Sequence, residues 1–176
     1  RMFGSWKNNI TYVADDGDAN LHQRAAETLA SYFNDFQPQT QLNKLYVDAF
    51  PQEILASRES ALLTREALIS ALEEGTFVVD YLGHGNESQW AVENILDATL
   101  VNDLTNRFFL PLFLTATCEF GRYDDPSINT SGAEKLLLNK NGGAIALLTT
   151  TRPVYASSNE LVNEAFHKNL FKTENG

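Results

Sequence analysis

The sequence predicts an α/β fold of three layers, α/β/α, in which a mainly parallel sheet of about five strands lies between helices. Three observations predict it. Short runs rich in Val, Phe, Leu, Tyr and Thr alternate with longer segments whose apolar residues recur at helical spacing. The runs carry few polar residues, as in strands buried on both faces. No repeat or linker interrupts the alternation, so residues 1–176 are expected to form a single domain.

The first half of the chain provides two strands and two helices. A strand over 9–14 precedes a helix over 21–36, and a short strand over 44–47 precedes a second helix. Thr64 is the expected N-cap of that second helix, and Gly75 is expected to end it. The apolar face of the first helix consists of Leu21, Ala25, Leu29, Phe33 and Phe36.

The second half provides three further strands, over 77–82, 112–117 and 144–150. The stretch 86–107 is the least regular and is expected to be mostly loop with a short helix. Ser131 and Glu134 form a capping-box pattern that opens a helix ending near Asn139, and Ser157 and Glu160 repeat the pattern for the last helix. The inner face of that last helix is expected to be Val162, Ala165, Phe166 and Leu170.

Composition excludes several classes of protein. Thirteen basic against 23 acidic residues give a net charge of −10, which argues against a nucleic-acid partner. The single cysteine excludes an internal disulfide and a cysteine-based zinc site. No apolar stretch approaches the ~20 residues of a membrane helix. A start at Arg1, with Trp6 and a strand soon after, predicts a piece of a longer polypeptide.

Two strand ends carry the candidate catalytic residues. Because ligands bind beyond the carboxyl ends of strands in open parallel sheets, the residues that follow each strand are informative. His84 and Gly85 follow the third strand, and Cys118, the only cysteine, follows the fourth. If these strands are parallel neighbours, an imidazole and a thiol converge at one edge, which indicates a cysteine nucleophile with a histidine base.

Further groups at this edge fit the same chemistry. A neighbouring imidazole raises the reactive fraction of a thiol that ordinarily titrates near ~8.5. The backbone N–H groups of Gly85 and Cys118 could polarise a scissile carbonyl. Asp15, after the first strand, could accept from the far ring nitrogen of His84 and hold its tautomer.

Plainer interpretations stand beside these. Cys118 alone is more often a small buried hydrophobe than a nucleophile. His22 and His167 lie in helical segments and are expected to be solvated or incidental. Residues 15–18 could hold Ca²⁺, but they lack the spacing of an EF-hand loop, and a solvated turn is favoured. We therefore expect no cofactor and no metal. Trp6 and Trp90 are expected to be packing anchors.

Three stretches resemble the gingipain family of cysteine peptidases: Gly83-His-Gly85 followed by Trp90, residues 115–126 with Thr-Cys-Glu-Phe-Gly-Arg, and residues 142–152. The resemblance implies a caspase-like fold with a His–Cys dyad. It maps the base onto His84, the nucleophile onto Cys118 and the orienting carboxylate onto Asp15, with Asp16 as the alternative. Gingipains have Glu at that third position.

The resemblance further implies a biological role. It is strongest to sortase-like members that act at the cell surface, on the extracellular side of the outer membrane, in the type IX secretion system. They remove C-terminal sorting domains from secreted cargo through a cysteine thioester and pass the acyl group to an amine. The implied partners are cargo proteins and other secretion components. A conventional endopeptidase cleaving after a basic residue and a non-catalytic cargo-docking module are the alternatives.

Residues near the nucleophile are candidates for substrate contact. Cleavage after Arg or Lys would need an acid, and Glu119, Asp124 and Asp125 follow Cys118. Arg152 and Tyr155 follow the last strand on the same edge. Pairing of Arg122 with an Asp of its own loop is an equal alternative to substrate contact.

Overall fold

A computed structural model describes residues 4–55 and 58–172 of the chain; Arg1, at which the sequence begins, lies outside them. The described part contains nine strands and five α-helices. In chain order they are β1 (Asn9–Ala14), α1 (Gly17–Phe36), β2 (Gln41–Tyr46), β3 (Glu53–Leu55), β4 (Arg58–Ser60), α2 (Leu62–Glu74), β5 (Val78–Leu82), β6 (Gln89–Trp90), β7 (Leu96–Asp97), α3 (Ala98–Asp103), β8 (Leu112–Ala116), α4 (Gly132–Leu138), β9 (Ala146–Thr149) and α5 (Ala156–Asn169).

Five strands form the central sheet, in the order β2-β1-β5-β8-β9, and every neighbouring pair is parallel. Helical crossovers connect most of them, as parallel pairing requires. The remaining strands pair locally, β3 with β4 and β6 with β7, as short antiparallel ladders. The predicted sheet of about five mainly parallel strands is confirmed.

Helices cover both faces of the sheet. On one face α1 and α5 pack on a cluster that includes Ile10, Tyr12 and Phe33. On the other face α2, α3 and α4 cover a larger cluster centred on Trp90, whose ring stacks on Tyr81 with centroids 4.4 Å apart. Trp90 is therefore the predicted packing anchor. None of the helices in the described ranges is long and apolar enough to cross a membrane.

Two predicted helix starts are wrong. The second helix begins at Leu62, and Thr64 lies inside it, fully buried and without a capping bond. The last helix begins at Ala156 after an N-cap at Tyr155, so Ser157 and Glu160 form no capping box. By contrast, the box of Ser131 and Glu134 is present at α4. The hairpin of β3 and β4 was not predicted, because its strands have only three residues each.

The predicted inner face of α5 is correct only in part: Phe166 and Leu170 pack against the core cluster, but Ala165 is exposed. Val162 is 55% exposed, whereas Asn163 and His167 are buried. The reason is Asp80, a fully buried carboxylate in the middle of β5. Asn163 Nδ2 donates to Asp80 Oδ1 at 2.8 Å, and His167 Nε2 lies 3.3 Å from Asp80 Oδ2. Asn163 and His167 face the sheet because the buried carboxylate of Asp80 needs polar partners. His167 is therefore buried, which corrects the expectation that it is solvated or incidental.

Candidate active site

The candidate residues follow two adjacent strands. Leu82, the last residue of β5, is level with Ala116, the last of β8. The ladder continues one step further, because Gly83 N donates to Ala116 O at 3.3 Å. His84 and Cys118 each follow two residues beyond the last aligned pair, so both stand at the same edge of the sheet. The prediction that the strands before His84 and Cys118 are parallel neighbours is confirmed.

The loop of His84 packs directly on the residue before Cys118. A Cβ added to Gly85 would stand 2.5 Å from Thr117 Oγ1 and 2.9 Å from Gln89 O, so only glycine fits. Gly85 faces Trp90 in an antiparallel bridge whose hydrogen bonds are Ala91 N to His84 O and Asn86 N to Gln89 O. In this type of pair the central N–H groups point away from the partner strand. Gly85 N–H therefore remains available to a ligand.

Cys118 is partly exposed, and its Sγ lies 3.7 Å from Val154 O. Its backbone N–H has no acceptor within the described ranges. Thr150 Oγ1 donates to Thr117 O, which ties the end of β8 to the segment after β9. Glu119 has a φ of 56°, a left-handed conformation that costs a non-glycine residue about 1 kcal/mol or more. The chain thus turns sharply just after the thiol.

The ring of His84 faces a carboxylate other than the predicted one. Its Nε2 lies 3.2 Å from Asp18 Oδ2. Asp15 is buried at the end of β1 and accepts from two backbone N–H groups, those of Gly17 and His84, the latter at 2.8 Å. The expected contact of Asp15 with the ring is therefore corrected: Asp15 holds the main chain of the loop, and Asp18 meets the imidazole. Both carboxylate oxygens of Asp15 are already engaged by backbone N–H groups, Oδ1 by Gly17 and Oδ2 by His84, which explains the difference.

A left-handed turn brings Asp18 to the ring. Asp18, Ala19 and Asn20 have φ of 54°, 53° and 60°, and only from residue 21 does α1 run as a regular helix, as predicted. His22, one turn into α1, packs edge-on against His84 with centroids 5.1 Å apart. Burial lowers the pKa of His22, and Asp15 opposes that shift.

The sequence analysis missed both Asp18 as the ring partner and His22 as a neighbour of the site. His22 is buried and stands beside the candidate base, which corrects the expectation that it is incidental. No helical spacing signals this pair, because residues 18–20 are left-handed and Asp18 does not share a helix face with His22. Only the tertiary structure brings His84 into contact with Asp18 and His22.

Arg122 joins the two loops. Its guanidinium lies 2.7 Å from Glu119 Oε1 and 3.1 Å from Asp125 Oδ2, both in its own loop, and 3.3 Å from Glu87 Oε1 in the loop of His84. Glu87 O also accepts from Gly132 N at 2.7 Å, at the start of α4. Arg122 therefore pairs with an Asp of its own loop, Asp125, as one of the two predicted alternatives states.

The predicted substrate-contact residues are found on the same rim but largely paired. Asp124 and Arg152 form a two-bond ion pair on the surface, at 2.9 and 2.6 Å, which lowers the pKa of Asp124. Glu119 pairs with Arg122. Tyr155 is 84% exposed. Of the four, Tyr155 presents the largest free surface.

An apolar groove of about 290 Å³ begins near the thiol. It runs between the ends of β8 and β9 and helix α5, and Val154, whose carbonyl contacts Cys118, forms its rim. Leu148 and Val162 contribute exposed apolar walls. The groove can take an apolar segment of a ligand whose reacting group stands at Cys118.

The acidic turn over 15–18 does not gather its carboxylates. Asp15 accepts from backbone N–H groups, Asp16 Oδ2 accepts from Gln52 Nε2 at 2.6 Å, and Asp18 faces His84. Calcium needs six to eight converging oxygen ligands. These three side chains point to three different partners, so they do not form a calcium site of this kind.

Comparison with known proteins identifies the fold. The model of "Peptidase family C25" matches residues 1–176. The structure of the Arg-specific cysteine proteinase gingipain R (RgpB) superposes with a TM-score of 0.70 at 20% identity, over 93% of this chain and 37% of that one. The complex of Porphyromonas gingivalis RgpB pro- and mature domains gives 0.72 at 20% identity, over 97% and 38%.

A third structure, described as a protease, gives a TM-score of 0.70 at 18% identity, over 91% of this chain and 32% of that one. No curated protein sequence matches significantly. The chain spans between about a third and two fifths of the length of the structures it resembles. Because the family model covers all 176 residues, the chain belongs to peptidase family C25.

Proposed function

We propose that this chain carries the catalytic centre of a cysteine peptidase, with Cys118 as nucleophile and His84 as general base. One observation supports it most: thiol and imidazole follow adjacent, aligned strands, and Gly85 packs on Thr117 between them. Acyl transfer requires a thiol, an imidazole and backbone N–H donors, and this sheet edge carries a partly exposed thiol, an imidazole and the N–H groups of Gly85 and Cys118.

The mechanism follows from the ring contacts. Asp18 Oδ2 stands 3.2 Å from Nε2 of His84, and in this mechanism its charge keeps the ring proton on Nε2, so Nδ1 carries the lone pair. Nδ1 takes the thiol proton as Sγ attacks the carbonyl carbon of the scissile amide. The N–H groups of Gly85 and Cys118 donate to the carbonyl oxygen as it gains charge. The imidazolium then protonates the departing amine, and a thioester to Cys118 remains.

The second half-reaction reverses these steps. An amine or water attacks the thioester carbon while His84 Nδ1 accepts its proton. The C–S bond breaks, and the thiolate recovers the proton from the imidazolium. Asp18 is a positioning residue in both halves, because it touches the imidazole and not the reacting carbonyl. It keeps the tautomer in which Nδ1 can act as a base.

The substrate we propose is secreted cargo that bears a C-terminal sorting domain, with an amine as acyl acceptor. The stretch Thr117-Cys-Glu-Phe-Gly-Arg122 resembles PorU, the sortase-like peptidase of the type IX secretion system. The proposed setting is the outer, extracellular side of the cell surface, with other secretion components as partners. The apolar groove beside Val154 would hold the segment next to the cleaved bond.

The two alternatives have less support. Cleavage after a basic residue needs a free carboxylate near Cys118, but Glu119 and Asp125 pair with Arg122, and Asp124 pairs with Arg152. A purely cargo-docking module has no use for an imidazole aligned with a thiol. It predicts cargo binding with ordinary thiol reactivity.

Alkylation of Cys118 by iodoacetamide tests the dyad. At pH 7 we expect the wild-type rate to exceed that of His84→Gln by about tenfold or more, because imidazole removes the thiol proton. Cys118→Ala is the blank, and Asp103→Asn, an exposed acid at the end of α3, is the matched control for Asp18→Asn. We expect Asp18→Asn to slow alkylation and Asp103→Asn to leave it unchanged.

Cargo processing in the parent polypeptide tests the role. Cys118→Ala is expected to abolish removal of the sorting domain, and mass spectrometry of processed cargo should find the new carboxyl joined to an amine. Normal processing by Cys118→Ala would reject the enzyme. Equal alkylation rates in wild type and His84→Gln would reject the dyad. A free carboxylate on all processed cargo would reject transfer to an amine and leave hydrolysis.

A further inference from the structure

We propose that Asp18, His22 and His84 form a Zn²⁺ site that holds the peptidase in an inactive state. One ligand atom from each residue, an oxygen of Asp18 and a ring nitrogen of each histidine, lies within 4.8 Å of the other two. Two imidazoles and a carboxylate are a donor set that proteins use for zinc with an open fourth position. The inhibition rests on the proposed function, whereas the binding of metal does not.

The spacing of the donors suits a tetrahedral ion. Ligands at 2.0–2.1 Å from zinc stand about 3.3 Å apart at tetrahedral angles. Oδ2 of Asp18 lies 3.2 Å from Nε2 of His84 and 3.7 Å from Nε2 of His22. The two imidazole nitrogens lie within 4.8 Å of each other, so rotation of the half-exposed Asp18 and His84 side chains toward His22 would complete three bonds.

His22 provides an independent observation. It is only 8% exposed, yet its Nε2 has no hydrogen-bond partner. A buried ring nitrogen without a partner is unfavourable, because it has lost its hydrogen bond with water and gained none in the protein. The nitrogen lies 3.7 Å from Asp18 Oδ2, and its ring contacts the ring of His84. A cation between the three residues would satisfy it, and the net charge of −10 would favour the approach of a cation.

Zinc on Nε2 would change the chemistry of His84. A neutral imidazole that binds metal through one nitrogen carries its proton on the other. Without metal, the carboxylate of Asp18 beside Nε2 favours the proton on that nitrogen, and Nδ1 is free to take the thiol proton. With metal on Nε2, the proton sits on Nδ1, which can no longer act as the base. Removal of the ion would restore the active tautomer without any movement of the strands.

Binding is tested on the whole chain by competition with a chromophoric chelator. We expect one Zn²⁺ per chain, with binding at least tenfold weaker in His22→Gln and in Asp18→Asn. Cys118→Ser and Asp103→Asn, as controls, should bind like wild type, and a hundredfold excess of Mg²⁺ or Ca²⁺ should not compete. Circular dichroism establishes that each variant is folded. Co²⁺ in place of Zn²⁺ should give visible absorption bands that are lost in His22→Gln.

Unchanged zinc affinity in folded His22→Gln would overturn the proposal, and so would loss of binding in Cys118→Ser, which would assign the metal to the thiolate. The inhibitory role is tested by iodoacetamide alkylation of Cys118. Zinc should slow it, EDTA should reverse the effect, and His22→Gln, relative to its own metal-free rate, should need at least tenfold more zinc. Binding without slowing would overturn the inhibition. Equal alkylation rates of wild type and His84→Gln in metal-free protein would refute the dyad but would not contradict the metal site.

Discussion

The buried carboxylate of Asp80 gives the sharpest prediction about stability. Removing its partner with His167→Leu leaves a fully buried acid whose remaining contact is Asn163. Burial already raises the pKa of Asp80 to about 6, and His167 is the main group that opposes the shift. Loss of the imidazole therefore raises that pKa further.

The magnitude follows from the structure. A rise from an ordinary value near 4 to about 6 corresponds to about 3 kcal/mol at 1.36 kcal/mol for each pKa unit, a cost that the wild type already carries with His167 in place. Breaking a buried pair by removing one partner costs about 3–5 kcal/mol. Against the ~5–15 kcal/mol with which domains are stable, we expect His167→Leu to lose about 3–5 kcal/mol in the free energy of unfolding at pH 7.5.

The loss should depend on pH with a definite sign. An acid whose folded-state pKa is raised binds more protons when folded, so wild-type stability falls as pH rises from about 4 to about 6. In His167→Leu the fall continues to higher pH, because the pKa of Asp80 is higher still. The difference between the two proteins is therefore smaller at pH 5, where Asp80 is largely protonated in both.

Urea unfolding at pH 7.5 and pH 5.0, monitored by circular dichroism, measures both quantities. The double variant Asp80→Asn with His167→Leu is the control, because an uncharged amide needs no counter-charge. It should be destabilised by less than the sum of the two single losses. A loss below about 1 kcal/mol for His167→Leu at pH 7.5, or an equal loss at both pH values, would refute the reasoning.

Two further predictions concern the loops of the site. Gly85→Ala brings a methyl group 2.5 Å from Thr117 Oγ1, so we expect the backbone of this loop to shift. Labelling of Cys118 by a peptidyl acyloxymethyl ketone should then slow by about 10²-fold or more, which is the contribution of one oxyanion donor. Labelling at the wild-type rate would contradict this prediction. Arg122→Gln removes the ion pairs to both loops, and we expect faster hydrogen exchange in residues 84–90 and in the loop after Cys118. Unaltered exchange would mean that Arg122 does not hold them together.

Much of the fold could be predicted because the signal is local. Buried parallel strands have continuous apolar runs, and four of the five sheet strands lie within two residues of their predicted ends. The second strand is the exception: it begins three residues earlier, at Gln41, because its first half is polar and its partner β1 supplies the pairing. Capping at α4 was predictable because both members of the box lie within one turn.

Predictions failed where long-range partners decide. No residue near Asn163 in the chain indicates that its side chain is buried. The cause is its hydrogen bond to Asp80, which is 83 positions away. Asp15 was expected at the ring of His84 because it ends a strand on the same edge. Its carboxylate instead accepts from the backbone, and a left-handed turn delivers Asp18. Sequence patterns do not report such positive φ values at residues other than glycine.

The sequence by itself determined the layered sheet and the two strand ends at which Cys118 and His84 stand, because hydrophobic periodicity and parallel topology act through neighbours in the chain. Only the tertiary structure decided which carboxylate meets the imidazole, that His22 joins it, and that the acids beside the thiol are paired with arginines. Those contacts depend on side chains from separate elements meeting at one edge. Their energies are set by burial and by distances of a few ångströms, which no local pattern encodes.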